Sequence, residues 1–135
     1  MKLEIKGMDK LSKELGRIGT EIKPALVQAT RRAILYVHSE VPPYPPPPPL
    51  STYRRTEKMG ASISTEVREL GSTIVGVIGT PIVYAPWVIS DQAVGKRGPQ
   101  AWMHKGRWWT LQGVVMKAKD VIVKIYEQAV HDLIK

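Results

Sequence analysis

The sequence predicts a small α+β domain in which an antiparallel sheet carries helices on one face. Two patterns predict this class. Apolar and polar residues alternate between residues 61 and 68, as in a strand, whereas apolar residues recur every three or four positions after residue 113, as in a helix. A chain of 135 residues, 43% hydrophobic and 24% charged, is typical of one globular domain. We therefore expect a single domain over residues 1–135.

The N-terminal part predicts one strand and two helices. Leu3 and Ile5 alternate with charged residues, which indicates a short strand over residues 1–7. Asp9 can cap a first helix, and a second helix is expected from near Thr20. The buried stripe of the second helix would consist of Ile22, Leu26, Ala29, Ala33 and Val37.

A proline-rich segment over residues 42–50 must end the second helix, because seven of the eight residues from Pro42 to Pro49 are proline. Such a run favours an extended, stiff polyproline II conformation. It could be a ligand for an aromatic groove of the SH3 or WW kind. We favour a rigid arm within the domain that packs against a neighbouring subunit, with Tyr44, Pro45 and Pro47 as candidate interface residues.

The middle of the chain predicts further strands. Residues 61–68 and 73–80 read as an antiparallel hairpin around Gly71, and the nearly uncharged second strand is expected at the centre of the sheet. Residues 82–89 and 108–111 are predicted as two more short strands. A loop that is rich in glycine and basic residues joins them.

The last element is predicted as a long helix from about Gly113 to Ile134. Its apolar stripe is spaced by three and four residues and consists of Ala118, Ile122, Ile125, Ala129 and Leu133. A helix of this length spans about 30 Å, the width of a small domain. We expect it on the same face of the sheet as the two N-terminal helices.

Nothing in the sequence predicts catalysis, a cofactor or a metal site. The chain has no cysteine, and none of its three histidines has a second histidine at helical spacing. Nucleotide-binding glycine motifs and the nucleophile elbow are absent. We therefore expect a protein that is not an enzyme.

No apolar run approaches the length of a membrane span, and the N-terminus lacks the apolar stretch of a secretion signal. We therefore expect a protein that is cytosolic when synthesised and has no membrane partner.

The net charge of +8 favours anionic partners, and its densest part is the loop after residue 91. The bases of this loop are Lys96, Arg97, Lys105 and Arg107. Together with Trp102, Trp108 and Trp109 they could bind single-stranded nucleic acid, through phosphate contacts and base stacking. We favour these tryptophans as core or interface anchors, since tryptophan is enriched at protein–protein interfaces. A weak, non-specific contact with DNA is compatible with that interpretation.

Three segments resemble the tail-component proteins (neck, or tail-completion, proteins) of long-tailed bacteriophages. Residues 7–15 are similar to the family's "G-[LM]-D-x-L" start, and residues 53–63 resemble its "T-G-x-L-x-x-S-I" pattern. Residues 76–88 are similar to its "V-G-T-x-x-x-Y-A-x-x-V" strand pair. The residues that match the last two patterns are Thr56, Met59, Ser62, Ile63, Gly79, Thr80, Tyr84, Ala85 and Val88.

The resemblance covers most of the chain and implies a structural protein of virion assembly. Such a protein forms a homo-oligomeric ring at the head–tail junction, where its partners are the phage connector and the tail proteins. It would be located in the virion and, during assembly, in the cytoplasm of the bacterial host. The alternative interpretation is a basic nucleic-acid-binding module.

Overall fold

The structure is a computed structural model that describes residues 1–6, 22–45, 58–96 and 98–134. Its helices and strands follow one another in the order β1 (Lys2–Lys6), α1 (Ile22–Ser39), α2 (Lys58–Ser62), β2 (Ser64–Leu70), β3 (Thr73–Gly79), α3 (Ala85–Ile89) and α4 (Leu111–Leu133). The predicted first helix, after Asp9, lies outside the described residues.

The strands form an antiparallel sheet with the order β1-β3-β2. β3 lies at the centre, and residues 74–79 are all buried, as expected for a nearly uncharged strand. Gly71, in the turn between β2 and β3, has a φ of +63°, which glycine adopts without strain. The predicted hairpin and the central position of its second strand are confirmed.

The two long helices pack together and complete an α+β fold. α1 contacts β2, β3 and α4, so it forms the layer next to the sheet. Its predicted stripe is buried, and Thr30 and Ile34 are buried with it. The buried residues of α4 are Leu111, Val114, Ala118, Ile122, Tyr126 and Ala129. Of its predicted stripe, Ile125 and Leu133 are only half-buried. The predicted fold class is therefore confirmed, with α1 as the main described neighbour of the C-terminal helix.

A buried hydrogen-bond chain joins the two long helices. The Thr30 hydroxyl donates to the Leu26 carbonyl at 2.8 Å and lies 2.5 Å from the Tyr126 hydroxyl. Because the single hydroxyl proton of Thr30 is used toward Leu26, Tyr126 is the donor to Thr30. Burial raises the pKa of the Tyr126 phenol above its ordinary value of 10.0. The neutral phenol is therefore part of the folded state.

The fold should consequently lose stability in alkali through Tyr126. Its folded-state pKa is raised, so the unfolded chain loses this proton first and the free energy of unfolding falls as pH rises above the unfolded pKa of about 10. We expect Tyr126→Phe to lower the free energy of unfolding by about 0.5–1.5 kcal/mol at neutral pH. Between about pH 9 and pH 11, the free energy of unfolding of this variant should fall less than that of the wild type. Urea unfolding across this range measures both effects, with Tyr84→Phe, at a half-exposed tyrosine, as the control. Parallel pH profiles for wild type and Tyr126→Phe would contradict the expectation.

Two predicted strands are wrong. Residues 82–89 contain the short helix α3 instead, because Pro86 lies at its first turn, where a missing N–H costs no hydrogen bond. Residues 102–108 form turns and a bend, and Thr110 is the N-cap residue of α4. The Thr110 side chain accepts a hydrogen bond from the Gly113 N–H at 3.0 Å, so α4 starts at Leu111 rather than near Gly113.

Within the described part of the chain, no helix combines the length and the apolar character that crossing a membrane requires.

Candidate functional site

The proline-rich segment is attached to the body of the domain by Tyr44. The Tyr44 ring packs against Trp108, with centroids 5.0 Å apart and planes tilted by 59°. Its hydroxyl accepts a hydrogen bond from the Gly60 N–H at 2.7 Å. A Cβ on Gly60 would lie 3.0 Å from a Tyr44 ring carbon, so the missing side chain permits this close approach. We call Tyr44, Gly60 and Trp108 the Tyr44 clasp.

The Tyr44 clasp brings together two points that are 16 residues apart in the chain. The two described ends of the intervening segment, at Tyr44 and at Gly60, are therefore held together. Of the arm residues, Tyr44 and Pro45 are half-buried, whereas Pro47 lies outside the described residues. Tyr44, which was predicted to contact another subunit, thus contacts Trp108 and Gly60 of its own chain.

A groove of about 580 Å³ lies beside the clasp, between α1 and the start of α4. Its lining includes Tyr36, Glu40, Pro42, Trp108, Trp109 and Lys117. Trp108 and Trp109 are half-buried and pack against the core, in line with the interpretation of these two residues as anchors. The groove therefore has an aromatic wall beside the point where the arm begins.

The basic loop is held against α3 by hydrogen bonds. The backbone N–H groups of Gln100 and Ala101 donate to Ser90 and Trp87 carbonyls at 2.8 and 2.7 Å. The buried Gln100 side chain donates to the carbonyls of Val88, at 2.6 Å, and Trp108, at 3.2 Å. Sequence reasoning missed Gln100, because a single glutamine in a loop gives no signal of such a role.

The tryptophans of this loop lie in different environments. Trp102 is 82% exposed, and the neighbouring Trp87 is 40% exposed, unlike Trp108 and Trp109. Among the predicted DNA-facing bases, Lys96, Lys105 and Arg107 are exposed, and Arg97 lies outside the described residues. Trp102 therefore does not pack as a core anchor.

The residues that match the phage family patterns are joined by hydrogen bonds. Ser62 donates to the Met59 carbonyl at 2.7 Å, and its hydroxyl lies 2.5 Å from that of Thr80. The Ile82 N–H donates to the Thr80 hydroxyl at 3.2 Å. Because the Ser62 proton is used toward Met59, Thr80 donates to Ser62. This chain connects α2 to the end of β3, so two of the three matching segments meet in space.

The remaining matching residues differ in how far they are buried. Met59, Ile63 and Ala85 are buried, Gly79 ends β3, and Val88 is half-buried in α3. Tyr84 is 47% exposed and so differs from the others. Thr56 lies outside the described residues. Most of these side chains therefore have a structural part in the described fold.

The described residues contain no group of three or more side chains that could hold a metal ion. A comparison with known proteins finds no matching family model, no matching curated protein and no matching solved structure. The arrangement described above is therefore the basis for a functional proposal.

Proposed function

We propose that this protein is a structural subunit of the head–tail junction of a tailed bacteriophage. It would form a homo-oligomeric ring between the head connector and the tail tube, with the connector and tail proteins as partners. The proposal places it in the virion after assembly in the host cytoplasm. It rests on the three family-like segments and on one structural observation, the Tyr44 clasp.

The clasp supports this proposal because it fixes the base of a stiff segment. A loop whose ends are already held together loses less conformational freedom when its outer part binds a partner. The five prolines at positions 45–49 favour polyproline II conformation, in which five residues would extend about 15 Å at about 3.1 Å per residue. This length suits a spacer that contacts the next subunit of a ring.

The experiment is deletion of residues 45–49, followed by assembly with purified connector and tail subunits. We expect the isolated protein to keep its circular dichroism spectrum and its unfolding midpoint, because the deletion retains Tyr44 and its contacts with Gly60 and Trp108. Assembly, measured by size-exclusion chromatography and electron microscopy of rings, should be lost.

A matched variant replaces the same five prolines with alternating glycine and serine, so the length is kept and the stiffness is removed. We expect intermediate assembly from this variant. Normal rings from the deletion variant would exclude the arm from assembly. If wild-type protein formed no complex with connector or tail subunits, the proposed function itself would be wrong.

A further inference from the structure

The ring proposal leaves the exposed tryptophan of the basic loop without a role. Trp102 is 82% exposed, and the adjoining Met103 is 51% exposed. Large apolar side chains on a water-facing loop are unfavourable unless a partner covers them, and they commonly mark binding sites. This loop therefore requires an explanation other than packing.

The loop around Trp102 is ordered by its own backbone. The N–H groups of His104 and Trp108 donate to the Ala101 and His104 carbonyls, both at 2.9 Å. The Arg107 N–H also donates to the His104 carbonyl, at 3.0 Å. The indole ring is consequently presented from a preformed turn, which lowers the entropic cost of binding.

The backbone that leads to Trp102 is held in place by α3. The Ala101 N–H donates to the Trp87 carbonyl at 2.7 Å, so the chain just before Trp102 runs beside the backbone of Trp87. The position from which Trp102 projects is therefore fixed on both sides, by this hydrogen bond and by the turn that follows.

The basic residues of this loop outnumber its acidic residues. Lys96, Lys105 and Arg107 are exposed, and Asp91 is the only acidic residue between positions 91 and 107. Exposed cations beside exposed aromatic rings are the combination that single-strand binding proteins use, with phosphates on the cations and bases stacked on the rings.

We infer that Trp102 and the exposed cations Lys96, Lys105 and Arg107 form a binding site for single-stranded nucleic acid. In this site an unpaired nucleobase stacks on Trp102, and phosphates contact the three basic side chains. Duplex DNA fits this site less well, because the faces of its paired bases are already stacked within the helix. The inference goes beyond the ring proposal and does not depend on it.

The test measures binding of the full chain to a fluorescently labelled oligo-dT strand by anisotropy. Loss of one stacking platform should weaken binding by about 5- to 150-fold, so we expect this loss for Trp102→Ala. Trp102→Tyr keeps an aromatic face and should recover most of the affinity. Met116→Ala, at an exposed apolar residue of α4 outside this loop, is the control and should bind as wild type does.

Salt dependence tests the phosphate contacts. Three contacts predict a slope of about −2 in log–log form, which corresponds to a roughly twentyfold loss of affinity between about 50 and 200 mM salt. Replacing Lys96, Lys105 and Arg107 by serine should bring the slope close to zero. With so few contacts, we expect an isolated subunit to bind near the non-specific range of about 10⁻⁴ to 10⁻⁶ M.

Three results would overturn the inference. Unchanged affinity of Trp102→Ala would exclude stacking, and equal affinity for duplex DNA of the same length would exclude a single-strand site. Competition by poly-glutamate as effective as that by unlabelled oligo-dT would show instead a surface for acidic proteins. Because Trp102 is exposed, circular dichroism of each variant should match the wild type.

Discussion

Tyr44→Ala is expected to abolish ring assembly and to destabilise the isolated protein by about 2–4 kcal/mol. The truncation removes the aromatic side chain of Tyr44, whose ring centroid lies 5.0 Å from that of Trp108. It also leaves the Gly60 N–H without the hydroxyl that accepts its hydrogen bond. Since Tyr44 is half-buried, the loss of apolar burial should be about half that of a fully buried aromatic residue. The proline-rich arm would then have no fixed base on the domain.

Two variants separate the parts of this effect. Tyr44→Phe keeps the contact with Trp108 and loses only the hydroxyl, so it should cost about 1 kcal/mol and still assemble. Tyr84→Ala removes a tyrosine that is 47% exposed and lies outside the clasp, so it should change the free energy of unfolding little. Urea unfolding, followed by tryptophan fluorescence, gives the stabilities. Normal assembly of Tyr44→Ala would show that the clasp is not needed to position the arm.

The elements that sequence predicted best are those with a long, unambiguous period. α4 follows a stripe over 23 residues, so its face toward α1 could be identified before its start was known. β3 was recognisable because an uncharged run rich in β-branched residues is typical of a strand that is buried on both faces. In both cases local preference and tertiary burial agree, which is why the prediction was correct.

The wrong strands show where local preference fails. Residues 82–89 and 108–111 are rich in aromatic and β-branched side chains, which favour strands in general. Their conformations are decided by single residues, namely Pro86 at the start of α3 and Thr110 at the cap of α4. Such effects act on one turn of chain, so a pattern spread over several residues does not reveal them.

The candidate sites depended on contacts that sequence patterns do not encode. Tyr44 and Trp108 are far apart in the chain, and no sequence pattern around either residue predicts that they are in contact. Trp102, Trp108 and Trp109 are the same residue type within one short stretch, yet only Trp102 is mainly exposed. The distinction arises from which side of the folded loop faces α4 and the core.

The close approach of β3 to α1 supports a second strong prediction, which is a destabilisation of about 3 kcal/mol or more for Gly76→Leu. A Cβ on Gly76 would lie 3.2 Å from the Thr30 methyl carbon and 3.4 Å from the Ile34 Cβ, so a larger side chain must push α1 away from the sheet. Overpacking of this kind costs about 1–3 kcal/mol. Displacing Thr30 also disturbs its buried hydrogen bond with Tyr126, which adds about 1–3 kcal/mol.

A graded series makes this prediction sharp. Gly76→Ala adds only the Cβ, and whether the Thr30 methyl group can move by a few tenths of an ångström decides the sign of its effect. Thr73→Leu, at the half-buried start of the same strand, is the control for adding a leucine to β3 and should cost much less than Gly76→Leu. Urea unfolding should show a larger loss of stability for Gly76→Leu than for either of the other two variants. If Gly76→Leu were as stable as Thr73→Leu, α1 would not be seated on β3 at Gly76, because no packed helix at that distance could accept the added side chain without cost.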